Sequence, residues 1–152
     1  MLSGKLLRLI ETHSEQITDS VLRLIRADSE ITHLNSLADT ELFETWNHRL
    51  SHLERWLVPA QRGALARDEE NVAKMRFADG IPLHEMVYAF HLLRNQTISY
   101  VRNLAPDDNY IELYAEGELE RWLANFFDFL VYHTVRGYEQ AFKERTADAQ
   151  VR

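Results

Sequence analysis

The chain contains no cysteine. Disulfide staples, thiolate metal sites, cysteine nucleophiles and thiol redox sensing are therefore excluded, which fits a reducing compartment. Glycine is scarce, and Gly4, Gly63, Gly80, Gly117 and Gly137 stand singly, so no glycine-rich loop is available to cradle a phosphate. No apolar run approaches the about 18 residues of a membrane span; the most apolar stretch, Phe126 to Tyr132, is already broken by Asp128. The start of the chain also lacks the apolar core and cleavage site of a signal peptide. No Gly-x-Ser-x-Gly elbow, kinase loop or His-Glu-x-x-His is found, and no segment alternates as a strand between turns. These absences lead to the expectation of a soluble, cytoplasmic, non-catalytic protein without strands.

Charge removes a further class of function. With 17 basic and 24 acidic residues the formal charge is −7, which opposes a large nucleic-acid footprint. The arginines, among them Arg23, Arg26, Arg49, Arg55, Arg62, Arg67, Arg94 and Arg102, are scattered among acids. DNA binding is not expected.

What is present is helical periodicity. At 152 residues the chain suits one domain, residues 1–152, with a core large enough to stand without metal or disulfides. Thr12 and Glu15 have capping-box spacing, so a helix from about Ser3 is expected to bend into one from Ser14 to about Ala27. Asp28 to Ala38 reads as a connection. Asp39 then caps a helix with the seam Phe43, Trp46, Leu50, Leu53 and Leu57, closed by Pro59. A more polar helix from about Leu65 to Asp79 stops at Gly80, where a left-handed residue can end it. Pro82 suits the first turn of the next helix, whose apolar stripe runs Met86, Val87, Phe90, Leu93, Thr97, Val101 and Leu104. After the breakers Ala105 to Asn109, a last helix begins near Tyr110, with a suspected interruption at Gly117. Its seam is Leu119, Trp122, Leu123, Phe126, Phe127, Leu130, His133, Thr134, Tyr138 and Phe142. The class is all-α with about six helices, packed either as an irregular bundle or in a globin-like arrangement.

Several side-chain patterns invite a chemical reading. Glu44, His48 and His52 stack at four-residue spacing like metal ligands, yet they lie opposite the Trp46/Leu50/Leu53 seam and so should face solvent. Only Glu30-Ile31-Thr32-His33 has the Glu-x-x-His form of a carboxylate-bridged di-iron helix, in an apparent connection, and that reading fails. No metal is expected. Phe129 and Tyr132 sit off the main seam, so the last helix is apolar on more than one face and needs a cover. A homodimer interface through Phe129, Tyr132 and Tyr138 is the expected cover, most simply across a two-fold axis.

The stretch Gly80-Ile81-Pro82-Leu83-His84-Glu85-Met86-Val87, leading into Leu92-Leu93-Arg94, resembles the landmark of the RsbT co-antagonist RsbRD N-terminal domain family. Leu9 to Val21 looks like that family's opening helices, and Phe126-Phe127-Asp128 with Val135-Arg136-Gly137-Tyr138-Glu139 looks like its last helix. The resemblance covers roughly Leu6 to Arg145. It implies a sensory or regulatory signalling domain, coupled to a partner signalling protein or output domain, with a globin-like fold and no haem. Phosphorylation chemistry is not carried onto any residue, because the 152 residues contain no output module; either a separate partner or a longer protein is implied. The alternative is a haem-binding or small-apolar-ligand sensor, for which His91 and His133 would be the binding residues and His84 a lesser one. The relatives are non-haem, so no cofactor is expected.

Overall fold

A computed structural model describes residues 2–104 and 110–151. Among the described residues there are seven α-helices, a short 3-10 turn at Leu34–Ser36 and no strand. The helices are α1 (Leu2–Thr12), α2 (Ser14–Ala27), α3 (Asp39–Ser51), α4 (Glu54–Leu57), α5 (Pro59–Ala78), α6 (Leu83–Leu104) and α7 (Tyr110–Val151). The all-α class and the approximate helix number follow from the periodicity as expected. α2 packs against α3 and α6, α6 against α7, and α5 lies along α7 in the most extensive helix pair. Ile17, Val21 and Ile25 of α2, Leu42, Trp46 and Leu50 of α3, Phe90 and Leu93 of α6, and Leu123, Phe126 and Leu130 of α7 fill the core.

Three boundaries differ from the sequence expectation, each for a local reason. The Thr12–Glu15 capping box does not form: the Thr12 hydroxyl donates back to the Arg8 carbonyl at 2.7 Å, and His13 joins α1 to α2 with no side-chain cap. The helix expected to run unbroken from Asp39 to Leu57 stops at Ser51, with His52 at φ −127°, ψ 36°, and restarts as the four-residue α4. Leu53 is fully buried while Leu57 is 50 % exposed, so the apparent 3-4 spacing runs through a bend that periodicity alone does not reveal. Pro59 opens the next helix instead of only closing the last one, because its missing N–H costs nothing at the first helical position. The Ala105–Asn109 breaker lies outside the described residues.

The Gly80 junction forms as its residues dictate. Gly80 has φ 80°, its N–H reaches the Phe77 carbonyl at 3.1 Å, and the Ile81 N–H reaches back to Arg76 at 3.0 Å. This pair of bonds is a Schellman ending. Ile81 is buried beside it, and the Pro82 carbonyl accepts the N–H groups of Glu85 and Met86 as α6 begins.

α7 is a single rod of 42 residues, about 63 Å long at 1.5 Å per residue, and it continues through Gly117 without a break. Its inward residues are buried from Leu119 to Ala141, and from Phe142 to Gln150 every residue is exposed. Phe142 was expected in the seam but is 63 % exposed, because the helical stripe continues past the point where neighbouring helices cover it. α5 approaches α7 tightly at Gly137, where an added Cβ would lie 2.6 Å from the Ala73 Cβ and 2.7 Å from the Glu70 carbonyl oxygen.

Candidate functional site

The α4–α5 bend and the middle of α7 together form an aromatic platform. The Trp56 ring packs edge-on to Phe126 at 5.8 Å and lies 4.7 Å from Phe129. The Arg62 guanidinium stands 4.4 Å from the Trp56 ring centre, and its Nε donates to the Trp56 carbonyl at 3.0 Å. The Phe129 and Tyr132 rings both touch His133, at 4.5 and 4.9 Å. Three large apolar groups on this platform reach solvent: Leu57 and Val58 at 50 % and 40 %, and Tyr132 at 61 %. Sequence reasoning selected Phe129 and Tyr132 but missed Leu57 and Val58, since both sit beyond the bend at His52.

Tyr138, the third expected interface residue, is placed differently. It is buried, its hydroxyl donates to the Ile81 carbonyl at 2.8 Å, and its ring is edge-on to Phe77 at 5.8 Å. Burial pushes its hydroxyl well above the usual tyrosine range. Ring and hydroxyl are thus both used inside the chain, tying α7 to the Gly80 corner, and Tyr138 offers no surface to a second copy.

His91 is exposed on α6, as is His84. His133 directly follows Tyr132 on α7, and its Nδ1–H donates to the Glu70 carboxylate at 2.6 Å. Gln140 donates to the other Glu70 oxygen at 3.3 Å, and Arg136 approaches it at 4.0 Å. One carboxylate of α5 therefore holds side chains on two turns of α7, astride the close contact at Gly137. This arrangement fixes the imidazole as an interhelical tie packed against two aromatic rings, while His91 points to solvent; the structure does not bring the two histidines into one site. Glu44, His48 and His52 are exposed, with the His48 and His52 rings 4.4 Å apart. Among the described residues no group of three His, Cys, Asp or Glu is placed to hold a metal ion.

The most constrained polar chemistry is buried, and periodicity hid it. α5 turns Leu65, Glu69, Ala73 and Arg76 inward, so half of its buried stripe is charged. Arg49 of α3 meets Glu69 in a two-pronged pair, Nε to Oε1 at 2.7 Å and Nη2 to Oε2 at 2.9 Å, with its guanidinium 4.7 Å over the Phe90 ring. Arg76 donates to Glu41, Asp79 and Thr45. Glu85, the acid of the Gly80–Arg94 stretch, accepts the backbone N–H of His33 and of Leu34. The available signal was the register: Glu69, Arg76 and Glu85 fall at positions where an apolar residue would normally sit.

No family model, curated protein or solved structure matches the chain. No helix among the described residues is long and apolar enough to cross a membrane.

Proposed function

We propose that the chain is a non-catalytic sensory or regulatory domain that acts as a homodimer through the α4–α7 platform and passes a conformational change along α7 to a signalling partner or output domain. The observation that carries this reading is the exposure of Leu57, Val58 and Tyr132 around the packed rings of Trp56 and Phe129. Exposed apolar groups seated on a rigid aromatic base are what an interface core requires, because the anchors lose little conformational entropy on docking. A two-fold contact needs only one such patch, since both copies contribute it.

α7 suits the transmitting role. One unbroken helix carries Tyr132 on its outer side, Leu130 and Thr134 in the core, and then nine exposed residues from Phe142 to Gln150. Any tilt forced on it at the platform reaches its exposed end without a hinge to absorb it. The resemblance to the RsbRD N-terminal family supports the same assignment by analogy, and with it a non-enzymatic role. Replacing Tyr132 with glutamate places charge on an exposed position of α7 while leaving the core untouched; the expected result is a folded monomer. A Tyr132→Glu protein with unchanged mass in light scattering would remove the platform as the interface.

A further inference from the structure

We propose that two copies of the chain cross antiparallel on α7 at Tyr132, with Asp128 of each copy paired to Arg136 of the other. This rests on the platform being the interface, and it adds the orientation of the second copy and the side chains that set it. The exposed positions Asp128, Tyr132 and Arg136 fall four residues apart on α7, so they form one ridge along the helix surface. Tyr132, 61 % exposed, stands in the middle of that ridge, with an acid about one turn before it and a base about one turn after. The Arg136 side chain is 55 % exposed and its Nε lies 4.0 Å from Glu70. That carboxylate is already held by His133 at 2.6 Å and Gln140 at 3.3 Å, so the Arg136 guanidinium keeps donors to offer outward.

Symmetry and charge together decide the direction. In a parallel two-fold pair each residue meets its own copy, which sets Asp128 against Asp128 and Arg136 against Arg136. An antiparallel pair turned about Tyr132 exchanges the positions four residues either side, so each Asp128 meets an Arg136 and the ion pair forms twice. Opposite charges then fix the register, while like charges penalise the parallel alternative. Helix geometry agrees with this arrangement. Packing the i±4n ridges of both helices together gives a crossing of about −50°, which lays the two Asp128–Tyr132–Arg136 ridges side by side in opposite directions. A steep crossing also confines the contact to the turns around Tyr132. Arg121 and Lys143, eleven residues before and after it, would face each other as like charges in a shallow pairing and are carried apart in a steep one. The tyrosine rings supply the apolar centre, and the two ion pairs form its polar rim.

The test is the dimer dissociation constant of the full chain, measured by sedimentation equilibrium at low ionic strength, where surface charges act most strongly. Asp128→Arg and Arg136→Asp each turn two attractive contacts into two repulsive ones and are expected to weaken the dimer by about tenfold or more. The double variant, Asp128→Arg with Arg136→Asp, restores opposite charges and is expected to return to within about threefold of the wild type. Single variants that leave the constant unchanged, or a double variant as weak as the singles combined, would overturn the crossing. Because the chain has no cysteine, cross-linking reads the orientation as well. Asp128→Cys mixed with Arg136→Cys is expected to give a joined product with a short bismaleimide, and Asp128→Cys alone to give little. Efficient self-linking of Asp128→Cys would show a parallel contact and sink the proposal. A wild-type dimer indifferent to both charges keeps the platform and loses the crossing, whereas a wild type of single-chain mass leaves this face to a different partner and overturns both.

Discussion

The Glu85 carboxylate, only 3 % exposed, accepts the backbone N–H of Leu34 at 3.1 Å across 51 positions of sequence. The same oxygen accepts the His33 N–H at 3.1 Å, and its partner oxygen accepts the His33 ring Nδ1–H at 2.8 Å. A side chain in the first turn of α6 thereby caps the 3-10 turn between α2 and α3. Arg26 secures the far side, donating to the Asn35 and Leu37 carbonyls at 2.8 and 2.6 Å and to Asp39. The connection is consequently fixed to the body at both ends.

Removing this cap should be expensive. Hydrogen bonds to a charged group contribute about 1.5–3 kcal/mol, and orphaned buried N–H groups add a desolvation penalty. Glu85→Ala is expected to destabilise the fold by about 3 kcal/mol in urea denaturation, and Glu85→Gln by less, since its amide oxygen can still accept both backbone donors. Hydrogen exchange at residues 28–38 should accelerate selectively in either variant. Equal loss in both would contradict the cap as the dominant role of Glu85.

The Arg49–Glu69 pair predicts a non-additive result. Taking away one partner leaves a buried charge alone, so Arg49→Met or Glu69→Leu should each cost about 3–5 kcal/mol. The double variant, Arg49→Met with Glu69→Leu, should recover most of that loss, because neither residue then needs its partner. A double-mutant cycle in urea reads the coupling directly; simple additivity would show that the two charges do not depend on each other.

Two glycines in helices should respond with opposite signs. Gly63→Ala meets only the flexible end of Arg67 at 3.7 Å, so the gain in helix propensity, about 1 kcal/mol, should survive. Gly137→Ala drives a methyl group to 2.6 Å from the Ala73 Cβ and 2.7 Å from backbone oxygen, and the forced separation of α5 from α7 should outweigh that gain by about 1–3 kcal/mol. Thermal melts of the two variants check both signs together.

Stability should carry a pH signature from Glu11. Its folded-state pKa stands above the ordinary value, so the native state binds an extra proton and the sign is fixed. The contribution is full below about pH 4.5 and is lost as the pH rises through about 7. The stability of the wild type relative to Glu11→Gln should therefore fall across that window and be flat above it. Urea midpoints measured at half-unit intervals decide this; a relative stability that rises with pH would reverse the assignment.

The parts of the fold that were legible in sequence are those governed by neighbouring residues. Gly80 and Pro82 dictate a left-handed helix ending and a helix start through their own backbone preferences, and the α2, α6 and α7 seams follow from spacing. What was hidden depends on distant partners. Register can flag Glu69 and Glu85 as acids at inward-facing positions, but nothing beside Glu69 in the sequence points to Arg49, and nothing beside Glu85 points to Leu34. Periodicity gave Tyr138 and Phe142 adjacent places on one stripe, but it carries no information on where the covering helices end. The bend at His52 was masked because Leu53 and Leu57 keep helical spacing across it, and for that reason the Leu57–Val58 half of the platform was missed while Phe129 and Tyr132 were found.

The most direct test of the regulatory-dimer proposal is the solution mass of the purified chain by light scattering at micromolar concentration, near pH 6.5. A mass twice that of the 17.9 kDa chain, falling to the single-chain value in Tyr132→Glu, is the expected result. A wild-type protein with the mass of one chain at that concentration would contradict it.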